Sequence, residues 1–248
     1  MILRAAGNFF FRHRNSVFPL VLLGLLAASR PQPFWGSWQV DRIVDAAGIA
    51  LVVAGHFIRA LVIGLAYIRR GGKGGKVYAD DLVVEGVFAY SRNPLYLGNL
   101  LMLAGIFLMA NSHALTWIGI PFFAFAYGSI IFVEEEYLAR KFGQRYEEYR
   151  RAVPRFFPRS ASVFRVARGM TFDWRRFLRK DYGTIFTSAT IVLIILLDET
   201  WTRWGRKGVM ASALEYAALW APVLILYAAV RFLKKTGRLR ASDTQASG

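Results

Sequence analysis

The apolar residues of this chain fall into blocks rather than into the alternating faces of a soluble domain. Four blocks are long: Ile43 to Ile68, Leu95 to Ala110, Ala114 to Val133 and Val209 to Leu233. Two are shorter, Ser16 to Ser29 and Gly183 to Leu197. A helix that crosses a bilayer needs roughly 20 apolar residues, with about 17–25 the usual range. The long blocks approach or meet that length, and the shorter ones reach it with flanking aromatics or tilt. Hydrocarbon offers an open backbone no hydrogen-bond partner, so such blocks must be helical. The pattern predicts an all-α, polytopic membrane bundle of about six transmembrane helices. It divides the chain into two N-terminal spans (1–70), a central unit with two polar motifs and a helical hairpin (71–160), an amphipathic interfacial segment (161–182) and a C-terminal hairpin with a short tail (183–248).

Charge fixes the expected orientation. The 248 residues include 32 Lys plus Arg against 16 Asp plus Glu, a formal charge of +16. In a soluble chain that excess points to nucleic acid. Here the positive-inside rule accounts for it. With six spans, 26 of the 32 basic residues lie in segments 1–15, 69–94, 134–182 and 231–248, all on one side. That side is read as the cytoplasm and carries both termini, in a bacterial inner membrane. The bilayer is then the partner, a basic face meets anionic headgroups, and no nucleic acid is called for. Arg4, Arg12 and Arg14 before the first block imitate a signal peptide. The block runs into Ala27-Ala28-Ser29-Arg30-Pro31, however, and reads as a retained helix.

The chain has no cysteine, and its three histidines (His13, His56 and His113) have no metal-ligand spacing. Thiolate chemistry and zinc or haem ligation are therefore not expected, and no metal is assigned. The stretch from Arg69 to Lys76, with two double glycines, reads as a flexible basic linker; it lacks the spacing of a phosphate-binding loop. Residues 155–182 mix aromatics with arginines and suit a helix lying in the membrane interface.

Two polar elements carry the chemistry. The first is Gly86-Val-Phe-Ala-Tyr-Ser-Arg92-Asn93-Pro94-Leu95-Tyr96-Leu-Gly98. Pro94 fits the first turn of a helix and Asn93 its N-cap. The free amides of that turn could hold a carboxylate, with Arg92 as a bidentate partner. The second element runs from Glu134-Glu135-Glu136 through Phe142-Gly143 to Tyr149. Three carboxylates at the end of an apolar span are costly to desolvate. They can also take an ammonium group. A tight turn at Asn111-Ser112-His113 brings both elements to the same end, so together they can clamp an amino-acid moiety. On the second span His56 and Arg59 share a face. Arg59 is about 15 Å inside along the helix, and the pair are candidates for holding a substrate headgroup.

These elements, at matching spacing over about residues 75–160, make the chain resemble the isoprenylcysteine carboxyl methyltransferases and their phospholipid methyltransferase relatives. The resemblance implies an integral membrane methyltransferase that uses S-adenosyl-L-methionine without a Rossmann fold. It carries cofactor contacts onto Asp80, Asp81, Leu82, Val83, Phe88, Asn93, Pro94, Leu95, Tyr96 and Glu134. Arg92 and Glu135 are the candidate catalytic residues. Two positions depart from the family pattern. Asn93 stands where the isoprenylcysteine enzymes usually carry histidine. Ile130 stands where they place a substrate-contacting arginine, which argues against a prenylcysteine carboxylate. A lipid or isoprenoid acceptor is implied, methylated on O, N or S. A small transporter or a non-catalytic membrane scaffold are the competing readings.

Overall fold

In the computed structural model, which describes residues 1–28, 32–65, 70–73, 76–79, 81–157 and 171–239, the described parts of the apolar blocks are helical, and the block Val209–Leu233 is divided between two helices by a turn at Ser212. The helices are α1 (Ile2–Ala28), α2 (Trp38–Leu65), α3 (Pro94–Ala110), α4 (Ile120–Phe142), α5 (Gln144–Ala152), α6 (Trp174–Ala211) and α7 (Ala213–Lys235). A π-helical turn, Leu115–Gly119, leads directly into α4. Four segments are long and apolar enough to cross a membrane: α2, Leu115–Phe142, α6 and α7. Among the described residues α3 is a shorter apolar helix that carries Asn99, and α1 precedes the others with 27 residues that include three arginines. The chain is a helical membrane bundle.

Successive helices alternate in direction. The motif-bearing ends of α2, α3, α4 and α6 meet at one end of the bundle, here termed the motif end. The α3–α4 hairpin reverses at Asn111, whose left-handed backbone (φ 35°, ψ 49°) caps α3. Asparagine tolerates that conformation better than most residues.

The tightest packing joins α2 to α3. Gly48 and Gly55 on α2, seven residues apart, face Gly105 and Gly98 on α3, also seven apart. A Cβ on Gly98 would lie 2.8 Å from the Gly55 carbonyl oxygen, and one on Gly48 2.8 Å from that of Gly105. Lipid tails are as apolar as leucine, so helices associate in membranes by close packing, and small residues permit it. On the opposite flank α1 runs antiparallel to α4. Phe10 and Phe18 of α1 meet Phe122, Phe123, Phe125 and Tyr127 of α4 largely edge to face.

Two sequence expectations are corrected. The basic glycine-rich stretch is an antiparallel ribbon, β1 (Arg70–Lys73) with β2 (Lys76–Ala79), not a flexible linker. Arg70 pairs with Ala79 and Lys73 with Lys76, and Ala79 is fully buried. The short block Gly183–Leu197 belongs to a 38-residue helix. Residues 198–208, read as a loop from their charges, continue that helix past a non-helical Gly205, and the chain turns at Ser212 instead. At 1.5 Å per residue α6 is about 57 Å long, so its charged ends extend beyond a core of about 30 Å. The interfacial segment 161–182 lies outside the described residues up to 170; from Trp174 it is the first part of α6, with Asp173 as a side-chain N-cap on Arg176.

Replacing Gly98 by leucine forces α2 and α3 apart. Overpacking of this kind costs roughly 1–3 kcal/mol. Thermal unfolding of the detergent-purified protein is expected to shift down by several degrees. Gly128→Leu, where nothing lies within 4 Å of an added Cβ, is expected to leave it unchanged.

Candidate active site

Consecutive residues on a helix point about 100° apart, and α4 uses this to send its three glutamates to three different partners. Glu136 faces α1 and is held by Arg4, with Arg140 one turn along at 2.6 Å. Glu135 turns toward the start of α3. It accepts from Asn93 Nδ2 at 3.1 Å and from Arg155 at 2.6 Å, and lies 3.5 Å from Arg92. Its carboxylate holds the Arg155 guanidinium above its ordinary, already high value. Glu134 faces the interior. It accepts from the Tyr96 hydroxyl at 2.7 Å and lies 3.9 Å from Arg14, which itself donates to Tyr96 at 2.9 Å.

The start of α3 is locked by the segment after α5. The amides of Arg92 and Asn93 donate to the carbonyls of Pro154 and Arg155, at 3.0 and 3.1 Å. Pro94 occupies the first turn as expected, and Asn93 precedes it as N-cap. The Asn93 side chain, however, does not cap: it donates to Glu135. That charge-assisted bond holds the amide nitrogen against the buried carboxylate of the facing helix.

A cavity of about 620 Å³ opens beside this junction. Its polar wall has Arg14, Asn93, Tyr96 and Glu134; its apolar wall has Leu22, Met102, Ile106, Phe123 and Ile191. Val77, Tyr78 and Ala79 of the ribbon line its motif end, where Lys141 also bonds to the Ala79 carbonyl. Arg179, Lys180 and Lys234 add positive charge from α6 and α7.

Arg59 reaches the same cavity from α2. It pairs with Asp181 of α6, a residue with no exposed surface, and donates to Asn99 at 2.5 Å and Thr184 at 3.3 Å. His56, one turn away, hydrogen-bonds Ser188 at 2.6 Å and lies 3.9 Å from Asp181. The intramembrane arginine thus has a counter-charge on another helix.

Of the residues singled out in the sequence, Asn93, Leu95, Tyr96, Glu134 and Arg59 line the cavity. Arg92 and Glu135 stand behind that wall and pair with each other. His56 touches it through Ser188. Pro94 is buried in the first turn of α3. Asp81, Leu82, Val83 and Phe88 pack at the motif end: Arg145 holds Asp81, Leu82 joins Tyr146 and Tyr149, and Val83 and Phe88 pack on Val62. Asp80 lies outside the described residues. Sequence reasoning missed Arg14, taken only as one of the arginines that imitate a signal peptide, and Asp181, read as cytoplasmic. An acidic residue just before an apolar block was the available signal for Asp181.

In chemistry and size the site suits a small molecule that carries both an ammonium and a carboxylate group. A carboxylate on the wall suits an ammonium group, and an arginine with a helix N-terminus suits a carboxylate. Tyrosine and phenylalanine faces attract a sulfonium. The volume lies within the roughly 300–1,000 Å³ of small-molecule pockets.

Comparisons with known proteins agree in part. A family model described as phospholipid methyltransferase matches residues 43–145. The chain is 34% identical over 203 residues to a cobalt-zinc-cadmium resistance protein, CzcN, of Cupriavidus metallidurans, covering 79% of this chain and 86% of that one. It is 29% identical over 223 residues to a nickel-cobalt-cadmium resistance protein, NccN, of Alcaligenes xylosoxydans xylosoxydans, covering 88% and 92%. No solved structure matches.

Glu135→Gln removes the charge that gathers Asn93, Arg92 and Arg155. A hydrogen bond to a charged group contributes about 1.5–3 kcal/mol. Thermal unfolding is expected to fall accordingly, and Glu135→Gln combined with Arg155→Gln to cost less than the sum of the two single changes.

Proposed function

Because this chain belongs to the family of isoprenylcysteine carboxyl and phospholipid methyltransferases, we propose that it moves a methyl group from S-adenosyl-L-methionine to a lipid-like or isoprenoid acceptor. The observation that supports this most is the convergence of Glu134 and the first turn of α3 on one wall of a cavity within the bundle.

In this reading Glu134 takes the cofactor's ammonium group. The first-turn amides of α3, with Arg14, take its carboxylate. The bound cofactor supplies an electron-poor methyl group on sulfur, ready for in-line displacement. The chain's own contribution is alignment and exclusion of water. Tyr96 is oriented by its bond to Glu134, and its ring packs at 68° to that of Tyr127, 5.7 Å away. Asp81, Leu82, Val83 and Phe88, with Pro94, hold the motif end in shape. Arg92 and Glu135 act one layer back: their mutual neutralisation, completed by Arg155, fixes the turn that presents Asn93 and Leu95. They are positioning residues rather than groups that touch the reacting atoms.

The acceptor lies along Met102, Ile106, Phe123 and Ile191, with its polar head toward Arg59. His56 and Asp181 hold that guanidinium in place. A carboxylate or thiolate acceptor reacts without a base. An amine must first release its proton, and water takes it, because Glu134 is engaged by the cofactor's ammonium group. Ile130 is fully buried and offers nothing to a prenylcysteine carboxylate, which favours a different acceptor.

By the positive-inside rule the motif end faces the cytoplasm, where the cofactor is made available, and both termini lie there. The two relatives are named for resistance to divalent metals, and by that likeness the methyl transfer serves a cell's tolerance of such ions. A transporter reading draws less support, since Arg59 and His56 are engaged by Asp181 and Ser188.

Calorimetric titration of the detergent-purified protein with S-adenosyl-L-methionine tests the proposal. Micromolar binding is expected, weakened at least tenfold by Glu134→Gln, a loss of about 1.4 kcal/mol or more. Transfer of labelled methyl into solvent-extractable lipid is expected from membranes containing the protein, and to fall at least tenfold with the same substitution. No binding in lipid nanodiscs would overturn the reading.

A further inference from the structure

The seam between α2 and α6 carries a second polar cluster at the end of the bundle away from the motifs. Going along α2 from the motif end, Arg59 meets Asp181, His56 meets Ser188, and finally Asp45 meets Glu199. Asp41 lies one turn beyond Asp45 on the same face. One carboxylate oxygen from each of Asp41, Asp45 and Glu199 lies within 4.8 Å of the other two. All three residues are at least nine-tenths buried, with exposures of 3%, 8% and 9%. Glu199 is about 12 Å along α6 from Ile191 on the cavity wall.

Two features set this group apart from an ordinary acidic surface. First, Asp45 Oδ1 and Glu199 Oε1 are fully enclosed and receive no hydrogen bond from any described donor. Second, none of the three carboxylates is ion-paired with a described Lys, Arg or His. Arg203, one turn along α6 from Glu199, has its guanidinium over the rings of Trp38 and Trp204, at 5.5 and 4.8 Å. Asp41 takes the Phe34 amide at 2.9 Å, which sets its rotamer. The arrangement keeps three carboxyl groups together, out of water and without a described basic partner. Burial of that kind is expensive unless the charges are paired or coordinate a metal.

We propose that Asp41, Asp45 and Glu199 bind a divalent metal ion through carboxylate oxygens, at a site distinct from the cavity. The spacing suits this. Oxygens bound to Mg²⁺ or a first-row ion lie about 2.0–2.2 Å from it, and those bound to Ca²⁺ about 2.3–2.6 Å. Ligands across such an ion are therefore about 4–5 Å apart. Three carboxylates with water completing the shell select hard or borderline cations over soft ones. The ion favours the ionised form of the carboxyls and ties α2 to α6 at this end, where no described ion pair joins them.

Access is also provided. Trp35, Trp201 and Trp204 surround this end and are 86%, 52% and 62% exposed. Exposed tryptophans of a membrane protein sit at headgroup level. The cluster therefore lies near the bilayer boundary, within reach of hydrated ions, rather than at mid-membrane.

The test uses Mn²⁺ as the probe. The full chain, purified in detergent and stripped with chelator, is titrated while the aqueous Mn²⁺ resonance is followed. One saturable site is expected. Asp45→Asn and Glu199→Gln should each weaken it at least tenfold, whereas Glu134→Gln in the cavity should not. The two near-isosteric amides relieve repulsion, so without metal each is expected to melt at or above the wild-type temperature, which separates lost ligation from lost folding. Absence of saturable Mn²⁺ binding by the wild type would overturn the proposal. That includes the case in which the carboxyls merely share a proton and the amide variants are more stable. Unchanged binding by Glu199→Gln, or binding lost only with Glu134→Gln, would overturn it too. Since the cofactor titration responds to Glu134 and this one to Glu199, either reading can fail without the other.

Discussion

Asp181 has no contact with solvent, and the guanidinium of Arg59 lies against it inside a helical bundle. Neither charge could stay there without the other, since breaking a buried pair leaves an uncompensated ion. Their pairing decides which face of α6 meets α2 and at what height. From that height follow the placement of Thr184, Thr187 and Ser188 on the cavity wall and the position of Asn99, which takes another nitrogen of the same arginine. The C-terminal hairpin is therefore not an appendage to the central unit. It supplies one side of the cavity and the counter-ion that makes an intramembrane arginine tolerable.

The same logic of assigning each charge a partner runs through α4. Glu136 bonds to α1 and Glu135 to the start of α3 and the segment after α5. These two fasten the helix to its neighbours. Glu134 has Tyr96 and, less closely, Arg14, and it alone of the three is on the cavity wall. Adjacent, chemically identical residues thus divide into two that hold the structure and one that is presented to a ligand.

Much of this was legible in the sequence where one residue type has one physical use. Long apolar blocks can only be helices in lipid. Asn111 marked the hairpin turn, and Pro94 marked the start of α3. The two motifs were expected at one end of the bundle, and they meet there. Legibility failed where the partner is distant. Nothing local distinguishes Glu134 from Glu135, since the difference lies in Tyr96 and Asn93, about forty positions away. Arg14 looks like one of a signal peptide's arginines until α1 is seen against α4. The length of α6 was hidden because Asp198, Glu199, Arg203 and Lys207 look like a loop, though a helix emerging from the bilayer accommodates charge freely. The ribbon was missed because four glycines read as flexibility, whereas the strands pair and carry Val77 and Tyr78 on the cavity wall.

The glycine contacts between α2 and α3 bear on which part of the bundle can move. Backbone approaches backbone at two levels, seven residues apart on each helix, and the side chains of Val52, Met102, Met109 and Arg59 close over the glycines at the same levels. That pair of helices behaves as a stator. The opposite wall is built differently. α6 and α7 meet each other through mixed contacts such as Trp220 to Thr190 and the stacked rings of Phe186 and Tyr227, and α7 turns much of its surface to lipid. Gly205 and the turn at Ser212 interrupt the hairpin at its far end. A displacement of the bundle would therefore fall on this outer leaf, with the Arg59–Asp181 contact as its pivot, while α2 and α3 keep their relation to each other.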